Sequence, residues 1–237
     1  MKSRVGQVRA APSHSSGMVR ARPWISLVIG PFMLAVCFAV AGVVLIATNS
    51  ATRDSVGDAL LVRPVIPATV AFLLSFGVVW VFARRDGFTL GVLGWAVPTP
   101  ATAILGLVAA VLFAALNTFV LFPLVHAADP TFDAELSSLS MTGAVAMMSA
   151  AVLFEETTFR GYALVMLKER LGTPGAVLVT SLAYGLLAPG PTWPPKLWAV
   201  GFGLLAAGLR LWRGSLWPVA LIHLAAALTP RFLAAGR

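Results

Sequence analysis

The stretch ATAILGLVAAVLFAALNTFVLFPLV, residues 101–125, decides the class of fold, because it runs for 25 residues without a charged side chain. An α-helix needs about 20 predominantly apolar residues to cross the hydrocarbon core of a bilayer. A transmembrane strand would instead alternate apolar and polar residues, and this run does not. The stretch therefore predicts a membrane-spanning helix.

Similar apolar runs recur through the chain, in which 59% of the 237 residues are hydrophobic and 11% are charged. So much apolar surface does not fit inside one water-soluble core, and lipid is the expected solvent. We predict an all-α, polytopic transmembrane helix bundle with about seven spans. The expected spans lie near residues 24–48, 64–83, 101–125, 141–167, 173–188, 196–212 and 215–229.

Basic residues predict how the chain is oriented, because Lys and Arg concentrate in cytoplasmic loops. They cluster in the tail 1–23 and in the turns at 84–85, 168–170 and 210–213. We predict a basic cytoplasmic N-terminal tail, 1–23, followed by a transmembrane helical domain, 24–237, in a multi-pass cell-membrane protein. The net charge of +8 is spread without an aromatic-basic stripe, which favours membrane lipids over nucleic acid as partners.

Three charged residues break the fourth apolar run, namely Glu155, Glu156 and Arg160. One charge at the centre of a spanning helix costs about 2.5–3.5 kcal/mol on insertion scales, so such residues are usually functional. Glu156 and Arg160 are four residues apart and share a helix face, which predicts an ion pair. Glu155 is left over and is the candidate general base. The alternative is a purely structural cluster that holds the bundle together.

His223 is the only histidine in any of these apolar runs. A lone histidine on an apolar helix is more often a hydrogen-bonded packing residue than a catalytic one. Together with Glu155, however, it provides a carboxylate and an imidazole that can polarise a water molecule for attack on a peptide carbonyl. The pair favours a hydrolase.

Four motifs of this sequence resemble those of one protein family. Residues 155–161, EETTFRG, resemble the EExxxR signature of the CPBP intramembrane proteases, the CAAX prenyl endopeptidase and bacteriocin-processing family. Residues 214–223, GSLWPVALIH, resemble the GSLWPxxxxH ending of that family, and residues 181–188 resemble its aromatic-x-x-x-His motif. Residues 87–95 resemble the "LGL" turn that precedes its third helix. The CPBP-like core covers about residues 85–228.

The resemblance implies a glutamate-dependent endopeptidase of the membrane, in which Glu155, Glu156 and His223 are catalytic and Arg160 and Tyr184 are supporting. Two alanines depart from the family pattern. Ala188 stands where the family has its second-motif histidine, and Ala227 stands where it has an asparagine. Losing one oxyanion donor slows an enzyme about a hundredfold to a thousandfold.

Three hypotheses follow. The first is a peptidase that cleaves a membrane-associated peptide or protein, and the second is a degenerate relative that binds such a partner without cleaving it. The third, a transporter with a glutamate proton relay, is disfavoured because the chain shows no symmetric halves.

We expect no cofactor and no tightly bound metal, since no His-Glu-x-x-His helix or cysteine cluster is present. Tyr184, one turn before Ala188, offers either a hydroxyl donor or an aromatic packing group, and His126 is expected in an outer loop.

Overall fold

The computed structural model describes residues 65–128, 139–188 and 192–235. The predicted tail, the predicted span at 24–48 and the acidic loop at 129–138 lie outside these residues. The described residues are helical apart from short connections, which confirms the all-α prediction for that part of the chain.

Eight α-helices and two π-helical segments make up the described chain. The α-helices are α1 Val65–Arg85, α2 Leu90–Leu93, α3 Pro100–Leu116, α4 Phe122–Ala128, α5 Met141–Glu156, α6 Leu164–Leu187, α7 Trp193–Arg213 and α8 Trp217–Ala235. The segment π1, Asn117–Leu121, joins α3 to α4, and the segment π2, Thr157–Ala163, joins α5 to α6.

Helix ends carry the expected local signals. The side chain of Thr99 accepts a hydrogen bond from the Thr102 backbone N–H at 3.2 Å before α3, and Ser140 accepts one from Gly143 at 3.1 Å before α5. Such caps satisfy backbone N–H groups that the first turn leaves unpaired. Gly214 ends α7 with a φ of 65°, a left-handed conformation that favours glycine.

Helix α6 is broken at Gly172, whose φ of 69° and ψ of 173° are not helical, and Pro174 follows. The break coincides with the predicted boundary between the spans at 141–167 and 173–188. His126 was predicted in a loop, whereas α4 continues the helix to Ala128 and carries His126 stacked on Phe122. The helix therefore runs past the predicted end of the span at residue 125, and the outer location of His126 stays a prediction.

Two helices of the described chain are long and apolar enough to cross a membrane, namely Ala68–Arg85 and Pro100–Ala127. A shorter apolar helix covers Trp217–Thr229. Along α3 and π1 many large apolar side chains face outward, as a helix that contacts lipid requires. Examples are Leu107, Val111, Leu112 and Phe119.

Long-range packing brings α3 against α8, α6 against α7, and α1 against α5. At one end of the molecule, backbone groups tie α2 to the turn between α7 and α8. The Leu216 N–H donates to the Gly94 carbonyl at 2.9 Å, and the indole N–H of Trp217 donates to the Ala96 carbonyl at 3.0 Å. These contacts fix α8, and with it His223, relative to π2.

Candidate active site

The polar site lies where α5 passes into π2. All seven residues of π2 are buried, and so is Glu156 immediately before it. A π-helical segment widens the turn by one residue, and such segments are frequent at functional sites. Thr157 fixes the segment from two directions, because its hydroxyl donates to the Leu153 carbonyl at 2.6 Å and accepts from the indole N–H of Trp95 at 2.8 Å.

Glu156 and Arg160 form the ion pair that their spacing predicts. The Arg160 Nη1 donates to the Glu156 Oε1 at 3.1 Å, and both side chains are fully buried. The guanidinium group also lies over the ring of Tyr184, 4.1 Å from its centroid, which adds a cation–π contact. A charge pair this deeply buried needs such additional partners to offset the loss of water.

His223 lies between the two glutamates. Its Nδ1 is 2.7 Å from the Glu156 Oε1, whereas its Nε2 is 3.1 Å from the Tyr184 hydroxyl and 3.7 Å from the Glu155 Oε2. With Glu156 ionised, the Nδ1–H tautomer donates to that carboxylate and leaves Nε2 facing Glu155 and Tyr184. The structure therefore brings together all five residues singled out in the sequence.

The two glutamates differ in their exposure. The Glu155 side chain keeps 24% of its surface accessible, whereas Glu156 is at 0%. Glu155 is therefore the carboxylate that water can reach. Glu156 is occupied on one oxygen by both Arg160 and His223, which makes it a positioning group rather than a group open to substrate.

Residues 137–229 match the family model of the type II CAAX prenyl endopeptidase Rce1-like proteins, and this range contains every residue of the site. Residues 137–229 are thus similar to an Rce1-like domain, the name used below for this range. The match confirms the resemblance to the CPBP family, whose Rce1-like members are membrane-embedded. Comparison with the curated proteins and with the solved structures finds no significant match.

Tyr184 of the Rce1-like domain combines the two roles that the sequence left open. Its ring is buried and packs edge-on against Phe159, with 5.4 Å between centroids, and at a tilt against Phe202 at 6.2 Å. Its hydroxyl nevertheless reaches the site, 3.1 Å from the Nε2 of His223. The aromatic knob thus brings a polar group into the site.

The two alanines that depart from the family pattern lie on the helices that flank the site. Ala188 ends α6, where its carbonyl accepts from the Lys196 Nζ at 2.9 Å, and Ala227 follows His223 by one turn of α8. Neither methyl group offers a donor to developing negative charge. Within the Rce1-like domain the remaining polar groups at the site are therefore the carboxylates, Arg160, Tyr184 and His223.

Asn117 was not predicted from the sequence, although its amide Nδ2 donates to the Ala226 carbonyl on α8 at 3.3 Å. Asn117 is buried at the start of π1, and its partner Ala226 immediately precedes Ala227 on α8. A signal was available, because an amide inside an otherwise apolar span is costly unless it has a partner. Within the described residues no group of three or more His, Cys, Asp or Glu has the arrangement of a metal site, and the expectation that no metal is tightly bound stays a prediction.

Proposed function

We propose that the chain is a CAAX-type intramembrane endopeptidase that hydrolyses a membrane-associated peptide or protein by glutamate-activated water. The observation that carries the proposal is the position of His223, which Glu156 holds from one side at 2.7 Å and which faces Glu155 on the other. A base whose partner is oriented by a third buried group is the usual geometry of hydrolytic sites. The match to the Rce1-like family supports the same reaction class.

In the proposed reaction the Glu155 carboxylate removes a proton from a water molecule as the water oxygen attacks the scissile carbonyl carbon. The carbonyl π electrons move onto oxygen and give a tetrahedral oxyanion. Collapse of this intermediate breaks the C–N bond, and Glu155 returns its proton to the leaving amine. His223, held in one tautomer by Glu156, polarises the water through Nε2.

Oxyanion stabilisation is the part of this mechanism that Ala188 and Ala227 weaken. Tyr184 supplies a neutral donor there, since its hydroxyl lies 3.1 Å from the His223 Nε2. We assign it the role of oxyanion donor. Replacing Tyr184 with Phe then lowers kcat about a hundredfold with little change in KM.

The alternative function is binding without cleavage, and the two missing donors favour it. The deciding experiment is cleavage of candidate membrane peptides, a prenylated C-terminal peptide among them, by the purified protein in detergent. Glu155→Gln is the matched inactive variant, and the double variant Ala188→His with Ala227→Asn restores the family pattern. If wild type cleaves and Glu155→Gln does not, the peptidase proposal holds. If only the double variant cleaves, the natural chain is a binding protein.

We also propose the predicted arrangement of about seven spans with a cytoplasmic N-terminus in the cell membrane. Basic residues at the ends of the helices support this orientation. Arg84 and Arg85 end α1 at the end of the molecule where Arg213 contacts Thr102 of α3. Seven spans place the C-terminus outside. A C-terminal tag should therefore be digested by protease added to intact cells. Protection of the tag would contradict the predicted number of spans.

A further inference from the structure

A cavity of about 220 Å³ opens between π2 and the start of α6 on one side and the end of α7 on the other. We call it the basic cavity, since three of its six lining residues are cations and none is acidic. The lining residues are Arg160, Leu164, Val165, Lys168, Arg210 and Leu211. This is a different space from the one between Glu155, His223 and Tyr184.

The three cations lie at different depths. Arg160 is fully buried beneath the cavity, Arg210 is nearly buried in its wall, and Lys168 is exposed at its rim. Arg160 belongs to π2, and Leu164 and Lys168 belong to the first turns of α6; all three line the cavity. The continuous segment of π2 and α6 therefore supplies two cations, and α7 adds the third.

Both arginines keep N–H groups without a hydrogen-bond partner. Arg160 uses Nη1 for Glu156 and Arg210 uses Nη2 for the Val92 carbonyl at 2.9 Å. Within the three described ranges of the chain, Nε and Nη2 of Arg160 and Nε of Arg210 are buried and have no partner. Burying a charged donor is costly unless an anion compensates it. Arg160 has Glu156 as its counter-ion, whereas Arg210 makes no ion pair among the described residues and hydrogen-bonds only to the Val92 carbonyl.

We propose that the basic cavity binds a phosphate-type oxyanion, carried either by the headgroup of an anionic phospholipid or by free phosphate. Phosphate oxygens match the guanidinium fork and the lysine ammonium, which are the usual phosphate-binding groups of proteins. A water molecule needs roughly 10–15 Å³ of such space, so about 220 Å³ accommodates a phosphate with its ester substituent. Basic pockets between helices at the cytoplasmic side commonly hold lipid headgroups, and Lys168 belongs to the turn predicted there.

The test is the thermal unfolding midpoint of the full chain, purified in a neutral detergent, as a function of added ligand. One arm titrates inorganic phosphate against chloride at equal ionic strength. The other adds phosphatidylglycerol or phosphatidylcholine to the micelles. Wild type is compared with Lys168→Gln and Arg210→Gln, and with Arg170→Gln as the matched control, which removes an exposed charge two residues from Lys168 without lining the cavity.

We expect a saturable rise of the midpoint for wild type and for Arg170→Gln. Lys168→Gln should need at least about threefold more ligand for the same rise, and Arg210→Gln about tenfold more, since Arg210 is the more buried. A response to both probes shows that the phosphate group suffices, and a response to phosphatidylglycerol alone identifies a lipid headgroup. Equal responses of wild type and both cavity variants, or no response to either probe, overturn the proposal. No cleavage is measured, so the result is independent of the proposed peptidase activity.

Discussion

The two π-helical segments differ in what surrounds them. In π1 the first residue, Asn117, is buried, while Phe119 two positions later is 80% exposed. In π2 all seven residues are buried, and Arg160 among them is fully covered. Both segments insert one extra residue into a long helix, so the insertion alone does not make a site.

Neighbouring helices account for the difference. One side of π1 contacts α8, and its other side faces outward. The hydrogen bond of the Asn117 amide to α8 is therefore enough to satisfy its buried polar group. Segment π2 is enclosed by α1, α2, α6 and α7. Around it lie Tyr184 of α6, the carbonyl of Leu93 at the end of α2, and Trp95 just after α2. A widened turn becomes a place for buried charge only where other helices exclude lipid and supply partners.

The largest expected effect is in π2. Arg160→Met leaves Glu156 buried with His223 as its remaining partner, and breaking a buried ion pair from one side costs about 3–5 kcal/mol. We expect the free energy of unfolding, measured by SDS titration in mixed micelles, to fall by about that amount. Phe119→Leu in π1, the matched apolar change on the exposed segment, should alter it by less than about 0.5 kcal/mol.

The double variant Glu156→Gln with Arg160→Met separates charge from packing. It removes the stranded carboxylate while keeping an acceptor for His223, so most of the lost stability should return. If the double variant is as unstable as Arg160→Met alone, the loss comes from the contact of Arg160 with the Tyr184 ring, and buried charge is not what distinguishes π2.

A smaller effect is expected at Gly161, also in π2. A Cβ there would lie 3.1 Å from the Leu93 carbonyl oxygen, and this backbone is tied down by its neighbours. Gly161→Ala should therefore destabilise the protein by about 1–3 kcal/mol relative to Gly208→Ala on α7, where a Cβ meets no atom within 4 Å. The SDS unfolding titration of both variants measures the difference. Equal stabilities would show that the enclosure of π2 is loose.

The smallest effect is expected in π1. Asn117→Ala removes the hydrogen bond to the Ala226 carbonyl, and interhelical hydrogen bonds in membrane proteins contribute about 0.6 kcal/mol on average and at most about 1.7 kcal/mol. The unfolding titration should show a loss within this range, and hydrogen exchange should increase at residues 225–228. A loss as large as that of Arg160→Met would show that the buried polar group of π1 contributes as much to stability as that of π2.

Much of the fold follows from local signals. Apolar run length predicts the helices, and the break at Gly172 follows from a glycine beside a proline in a basic turn. The Glu156–Arg160 pair follows from four-residue spacing, and the two side chains still meet although Arg160 lies within π2. These features depend on neighbours in the chain and are therefore readable from it.

Other features depend on contacts between distant segments. The π-helical segments shift hydrogen bonds by one residue without any change in composition, so periodicity does not reveal them. The sequence paired His223 with Glu155, but the rotation of α8 places its Nδ1 against Glu156. Whether the Tyr184 hydroxyl reaches the site likewise depends on how α6 packs against α8, which no local pattern encodes.

Gly94 shows how one backbone position can limit the substitutions that a fold tolerates. Its φ is 101°, its carbonyl accepts the Leu216 N–H, and a Cβ on it would lie 2.7 Å from the Arg210 Nε. The left-handed φ and the lack of room for a Cβ both favour glycine here. In evolutionary terms, a substitution at this position would have to be accompanied by a rearrangement of the junction between α2 and α8.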